Sequence, residues 1–270
     1  MCFRGKRRLR LTLALAAAAG AVLLLLVVYR LSAGSVPPGT MAGKVIDENR
    51  KPVRRARVYA YLEGQSTVEV RTNWFGHFVL EGLPDDRPLT VGVSTPKYGH
   101  QLFPDRQTGQ RHRLQIVPHG YELHGKPAPA LQIEKWYNSE PTSLDALRGQ
   151  VVLLQTAVHI DSFGNYNGAL LRMQNQYASR GLVVIAVHSH PSGSWPRKVT
   201  DEEIRDYLDA QGFSFPFGLD KHELGTHGKT HASYGPHSTH AKFLIDKKGI
   251  LRCSPTDDNL QDWIERLLAE

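Results

Sequence analysis

The chain has 270 residues and a formal net charge of +7, from 33 Lys and Arg against 26 Asp and Glu. That length supplies one or two domains, each with enough chain to bury a core. Arg4, Lys6, Arg7, Arg8, Arg10 and Arg30 flank one apolar run, and without them the remainder carries +1, which excludes an electrostatic footprint for a nucleic acid.

The apolar run is Ala- and Leu-rich, covers 11–29 and holds no charge. As a helix it rises about 28 Å, close to the thickness of a bilayer core. The reading is a basic cytoplasmic tail at 1–10 and one transmembrane anchor at 11–31, which places the rest of the chain outside the cytoplasm. A cleaved signal peptide is the alternative; Leu31-Ser32-Ala33 is a poor cleavage site, and the run is long for a signal sequence. Cys2 and Cys253 are the two cysteines, and the anchor would keep them on opposite sides of the membrane.

Residues 32–40, with Gly34, Pro37, Pro38 and Gly39, have linker composition. From 41 to 118 the pattern is all-β. Val45-Ile46, the run from Val58 to Leu62, Val68 with Val70, Phe78 to Leu80, and Leu89-Val91-Val93 read as short strands between turn signals. Gly43-Lys44-Val45-Ile46-Asp47, Pro52 and Ala56-Arg57-Val58, followed by Thr72-Asn73-Trp74-Phe75-Gly76-His77-Phe78 and Gly82-Leu83-Pro84, resemble a carboxypeptidase regulatory-like domain. That resemblance implies a prealbumin-like sandwich serving as a spacer or binding module.

Residues 119–135 read as a connector within a second domain spanning 119–270. Val151 to Leu154 and Leu182 to Val187 are continuous apolar runs, suited to buried central strands. Leu170, Met173 and Tyr177 recur at helical spacing. Thr200 and Glu203 form a capping box ahead of a helix carrying Ile204 and Leu208. Phe213 to Phe217 reads as a short strand, and Phe243 to Ile245 with Ile250 to Cys253 as a hairpin across the turn from Asp246 to Gly249. Thr256 is the expected cap of a last helix with Leu260, Trp263, Ile264, Leu267 and Leu268. Strands alternating with helices, then a hairpin and a closing helix, give an α/β fold.

This order resembles the thioredoxin-like superfamily, in its membrane-anchored TlpA or redoxin branch. The matching residues are Gly125-Lys126-Pro127-Ala128-Pro129, Ser143-Leu144 with Leu147-Arg148-Gly149, Gly181 to Val187, Tyr234-Gly235, and Phe243-Leu244-Ile245-Asp246 with Gly249. The resemblance implies a thiol–disulfide oxidoreductase whose Cys-x-x-Cys opens the helix after the first central strand. The corresponding loop here is Ile160, Asp161, Ser162, Phe163 and Gly164. Counting from the strand puts the first cysteine at Asp161, and counting back from Tyr177 puts it at Ile160. Neither is a cysteine. The family's cis-proline position falls on His240. Disulfide exchange needs an attacking thiolate and a resolving thiol, and one exported cysteine supplies only half of that.

Thirteen histidines suggest other chemistry. His159, Asp161, His190 and His240 would lie near the carboxyl ends of the strands, where imidazoles and a carboxylate can hold copper or zinc. His188 and His190 end one strand two residues apart, and His227 and His231 have i, i+4 spacing. The sequence thus leaves three readings: a redox-inactive module binding an extracytoplasmic protein or peptide, a histidine-based copper or zinc protein, and an oxidoreductase with a degenerate site.

Overall fold

A computed structural model of the chain describes residues 35–61, 67–158, 160, 168–189, 199–222, 228–236 and 240–270. The expected tail, anchor and first part of the linker lie outside these. Among the described residues no helix is long and apolar enough to cross a membrane. The chain divides into two compact units: the first runs through Val93 and takes in Leu102–Gln115, and the second comprises Ser94–Gln101 and Ile116–Glu270.

Strands β1 (Met41–Ile46), β2 (Arg57–Tyr61), β3 (Thr67–Arg71), β4 (His77–Leu80), β5 (Leu89–Thr95), β6 (Gly99–Arg106) and β7 (Arg111–Gln115) form two small sheets, ordered β4-β1-β7 and β3-β2-β5-β6. Val45, Val58, Ala60, Phe78, Leu80, Val91 and Leu114 are buried. The sequence reading missed β6 and β7. β7 buries only Leu114 and has no apolar alternation; its parallel register with β1, Lys44 opposite Arg113 and Val45 opposite Leu114, is what makes it a strand. The linker also ends earlier than expected. Val36 is buried and Thr40 N–H donates to Pro37 O, so the chain is packed at Val36, within the expected linker.

The second unit is built on a six-stranded sheet, ordered β13-β12-β9-β10-β11-β8. The strands are β8 (Ile133–Tyr137), β9 (Val151–Val158), β10 (Leu182–His188), β11 (Phe217–Asp220), β12 (Lys242–Ile245) and β13 (Leu251–Cys253). β9, β10 and β11 run parallel, whereas β8, β12 and β13 pair antiparallel to their neighbours. Helices α1 (Gly168–Tyr177) and α2 (Asp201–Gln211) separate the parallel strands, α3 (Lys229–Ser233) is one short turn, and α4 (Leu260–Ala269) closes the chain.

All eight residues of β9 are buried, because side chains alternate between two covered faces. Val151 and Leu153 join a core with Leu170, Tyr177, Ile204 and Ile264; Val152 and Leu154 join another with Ile185, Tyr234 and Phe243. Each such side chain stabilises the fold by roughly 1.5–3 kcal/mol through apolar burial.

Two expected details shift. Pro216 has no N–H to donate, so the ladder begins at Phe217 and not at Phe213, although Phe213 and Phe215 are buried. Asn259, not Thr256, precedes the last helix; its carboxamide oxygen instead accepts from Thr256 N–H at 2.9 Å. The Thr200–Glu203 capping box forms as read. The connector is also less open than its glycines suggested. Gly125 N–H donates to Leu251 O and Ala128 N–H to Gly249 O, and β8 begins inside it at Ile133.

The turn between β12 and β13 carries a pH signature. Burial raises the Asp246 pKa, but hydrogen bonds from Ile250 N–H, Lys248 N–H and the Arg252 guanidinium outweigh it and hold the carboxyl below its usual 3.8. A depressed folded-state pKa stabilises the fold above about pH 4, and the gain disappears as pH falls through the folded value. Wild type is expected to exceed Asp246→Asn in stability at pH 7, with the gap closing below pH 4 in denaturant titrations.

Candidate functional site

The parallel strands β9, β10 and β11 end together, and a buried polar cluster occupies their carboxyl ends. Gln155, Thr156, His188, Ser189, Asp220, Thr230 and His231 are all buried there. An irregularity in β9 starts the arrangement. Ala186 pairs with Gln155 but His188 pairs with Val158, so β9 holds one residue more than β10 over this stretch. Ala157 absorbs the extra residue with a left-handed φ of 50°, a conformation that L-residues adopt at a cost of about 1 kcal/mol.

The bulge brings Val158 O to 2.6 Å from His188 Nδ1. A carbonyl can only accept, so the His188 proton sits on Nδ1. At the end of β11, Asp220 turns its carboxylate onto α3. Oδ1 accepts from Thr230 N–H at 2.8 Å, and Oδ2 accepts from His231 N–H at 3.0 Å and from Ser189 Oγ–H at 2.8 Å. The negative charge thus caps the first orphan donors of the short helix. Gly228 makes this approach possible: at φ 100° a Cβ there would lie 2.4 Å from Asp220 Oδ2. His231 Nδ1 and Thr156 Oγ1 are hydrogen-bonded at 2.8 Å, and Thr230 Oγ1 accepts from Gln132 N–H at 2.8 Å.

The cluster contains Ser, Asp and His residues in direct hydrogen-bond contact. Ser189 donates to the carboxylate, and the His231 Nδ1 bond goes to Thr156. These bonds connect the ends of β9, β10 and β11 to α3.

The sequence-derived site residues fare unevenly. Ile160 is half-buried and packs against the core beside β9. Asp161, Ser162, Phe163, Gly164, His159 and His190 lie outside the described residues, and so does His227. His240 precedes β12, half-buried, with a left-handed φ of 59°. Three members of the expected copper or zinc set therefore have no described position. Among the described residues, no three His, Cys, Asp or Glu side chains converge as a metal site. Sequence reasoning missed Thr156, Ser189, Asp220 and Thr230. The available signal was a polar residue closing an apolar strand run, as Asp220 does directly after Leu219 and as Ser189 does one residue beyond His188.

Cys253 lies in β13 opposite Leu244 and packs among Leu260, Ile264 and Leu267. Burial pushes its thiol up to about 12 despite the pull of Arg252 and Arg266.

The strand order decides the architecture: a parallel β9–β10–β11 core with crossover helices, an antiparallel β12–β13 hairpin beside the central strand, and a closing helix. The second unit is an α/β fold on a mixed six-stranded sheet, the order of elements that the sequence led us to expect. Solved structures similar to it include a thioredoxin-like superfamily protein, at 26% identity over 53% of this chain and 97% of that one, with a TM-score of 0.48. A thiol-disulfide isomerase from Corynebacterium glutamicum aligns at 26% identity, 53% and 97% coverage, and TM-score 0.46. The thioredoxin domain of a thiol-disulfide oxidoreductase from Bacteroides vulgatus aligns at 16% identity, 54% and 97% coverage, and TM-score 0.42. No family model matches the sequence, and no curated protein matches it significantly.

Proposed function

We propose that this chain is a membrane-anchored, extracytoplasmic thioredoxin-like module that binds a protein or peptide and does not exchange disulfides. The observation that carries the reading is the state of its thiols. The chain holds two cysteines, Cys2 and Cys253, and neither occupies the loop from Ile160 to Gly164. Cys253 is 8% exposed and buried among aliphatic side chains. Burial pushes its pKa up to about 12, which keeps the thiol protonated near neutral pH, and the thiolate is the species that attacks. The charge-free run at 11–29, with its basic flank, supports the anchor. The Asn73–Gly76 turn, with Gly76 at φ 77°, supports reading the first unit as a carboxypeptidase regulatory-like spacer.

In native alkylation followed by peptide mapping, Cys253 is expected to stay unmodified under conditions that label Cys2, and to react once urea is added. The full chain is expected to leave the dithiothreitol-driven reduction of insulin at its uncatalysed rate. Catalysed reduction that survives in a Cys2→Ser, Cys253→Ser double variant would point to contamination; catalysed reduction abolished by those substitutions would refute the proposal and restore the oxidoreductase reading.

A further inference from the structure

Trp74 and Phe75 stand side by side at the tip of the turn between β3 and β4, 68% and 69% exposed. The turn that presents them is rigidly built. Asn73 Oδ1 accepts from Phe75 N–H at 2.9 Å and from His77 N–H at 3.0 Å, and Gly76 N–H donates to Asn73 O. Gly76 O accepts from Val45 N–H, and a Cβ on Gly76 would lie 2.5 Å from Val45 O, so the turn is pinned directly on β1. Two large aromatic side chains held out in water gain nothing for the fold, and ordering them costs entropy.

Their surroundings are basic. The Arg54 guanidinium lies over the Trp74 ring at 4.9 Å. Between positions 44 and 57 there are six cations and two carboxylates. One carboxylate, Asp47, is turned into its own loop, where Oδ1 accepts from Asn49 N–H and Lys51 N–H. On the β4-β1-β7 sheet, Lys44 and Arg113 pair in register as two neighbouring cations.

Exposed aromatic side chains with flanking cations match the headgroup region of a bilayer, where Trp sits with its ring half in the apolar layer and Lys and Arg meet anionic phosphates. The leash is short. The apolar run ends at Tyr29 and Val36 is packed, so the intervening six residues span at most about 20 Å. We infer that the Trp74–Phe75 turn and its basic surround dock the first unit on an anionic lipid bilayer. This rests on the anchor proposed above.

The test reconstitutes the full chain in phosphatidylcholine–phosphatidylglycerol vesicles and in phosphatidylcholine alone. The difference in emission between wild type and Trp74→Phe isolates Trp74 from Trp136, Trp195 and Trp263. In the anionic vesicles, brominated lipid is expected to quench about half of the Trp74 emission, with less quenching in the neutral ones, and iodide should not reach the ring. Trp74 emission untouched by brominated lipid overturns the inference: quenching by iodide would leave the turn in water, and shielding from both would mean that protein covers it. A carbonate wash separates failure of the anchor. If the chain washes off, the same vesicles are sedimented with the released chain. Anionic-lipid binding lost in a Trp74→Ala, Phe75→Ala double variant then supports docking, and absence of binding overturns it.

Discussion

Asp220→Ala is expected to destabilise the second unit by about 3–5 kcal/mol, a large share of the 5–15 kcal/mol that holds an ordinary domain together. The carboxylate is 2% exposed and takes three hydrogen bonds, two from the backbone of α3 and one from Ser189. Removing it strands two N–H groups and a hydroxyl in a place where water does not reach, and each stranded group costs about 1–3 kcal/mol. Asp220→Asn keeps the shape and one acceptor oxygen, so a smaller loss of about 1–3 kcal/mol is expected. Gly228→Ala attacks the same contact from the other side, by placing a methyl group where Oδ2 now lies. Urea unfolding gives the magnitudes. Hydrogen exchange gives the mechanism, because the amides of Thr230 and His231 should lose protection before those of β9 and β10. Unchanged exchange at those two amides in Asp220→Ala would show that the carboxylate does not hold α3.

Tyr234→Ala is the second substitution with a large expected effect, about 3–5 kcal/mol. Tyr234 is fully buried, its ring centroid is 4.9 Å from that of Phe243, and its hydroxyl donates to Pro129 O at 2.8 Å. Truncation would open a cavity between α3 and β12 and release the connector, whose Gly120 packs on Tyr234 O closely enough that a Cβ would come within 2.6 Å. Burial raises the Tyr234 phenol above its usual range, so the hydroxyl stays a donor near neutral pH. Tyr234→Phe removes only the bond to Pro129 and should cost about 1 kcal/mol. A thermal or urea series over the three proteins checks the ratio. Equal losses for alanine and phenylalanine would assign the effect to the hydrogen bond and not to packing.

Much of the second unit was legible because its strands are buried on both faces. Val151 to Leu154 and Leu182 to Val187 have no other use in a water-soluble domain than as central strands. The Thr200–Glu203 box was legible for a similar reason: it is a local motif whose partners are three residues apart. The segments that resisted reading have non-local causes. β7 is a strand because β1 offers it a parallel edge, and nothing in Arg111–Gln115 announces that. β8 was hidden in what composition called a connector, because its pairing partner, β11, lies about eighty residues further on. The shift of the last helix start from Thr256 to Asn259, by contrast, follows from a turn that these two residues close between themselves, Thr256 N–H donating to Asn259 Oδ1 and Asn259 N–H to Thr256 O.

The sequence by itself determined the alternation of strands and helices in the second unit and the count of two cysteines, Cys2 and Cys253. Both follow from residue type and local period, which folding cannot change. Only the tertiary structure decided what stands at the carboxyl ends of the parallel strands. Asp220, Ser189, Thr156 and His231 are separated by up to 75 residues in the chain. They meet because a bulge at Ala157 and a glycine at 228 let strand ends and a short helix approach closely enough for a buried carboxylate to find its three donors.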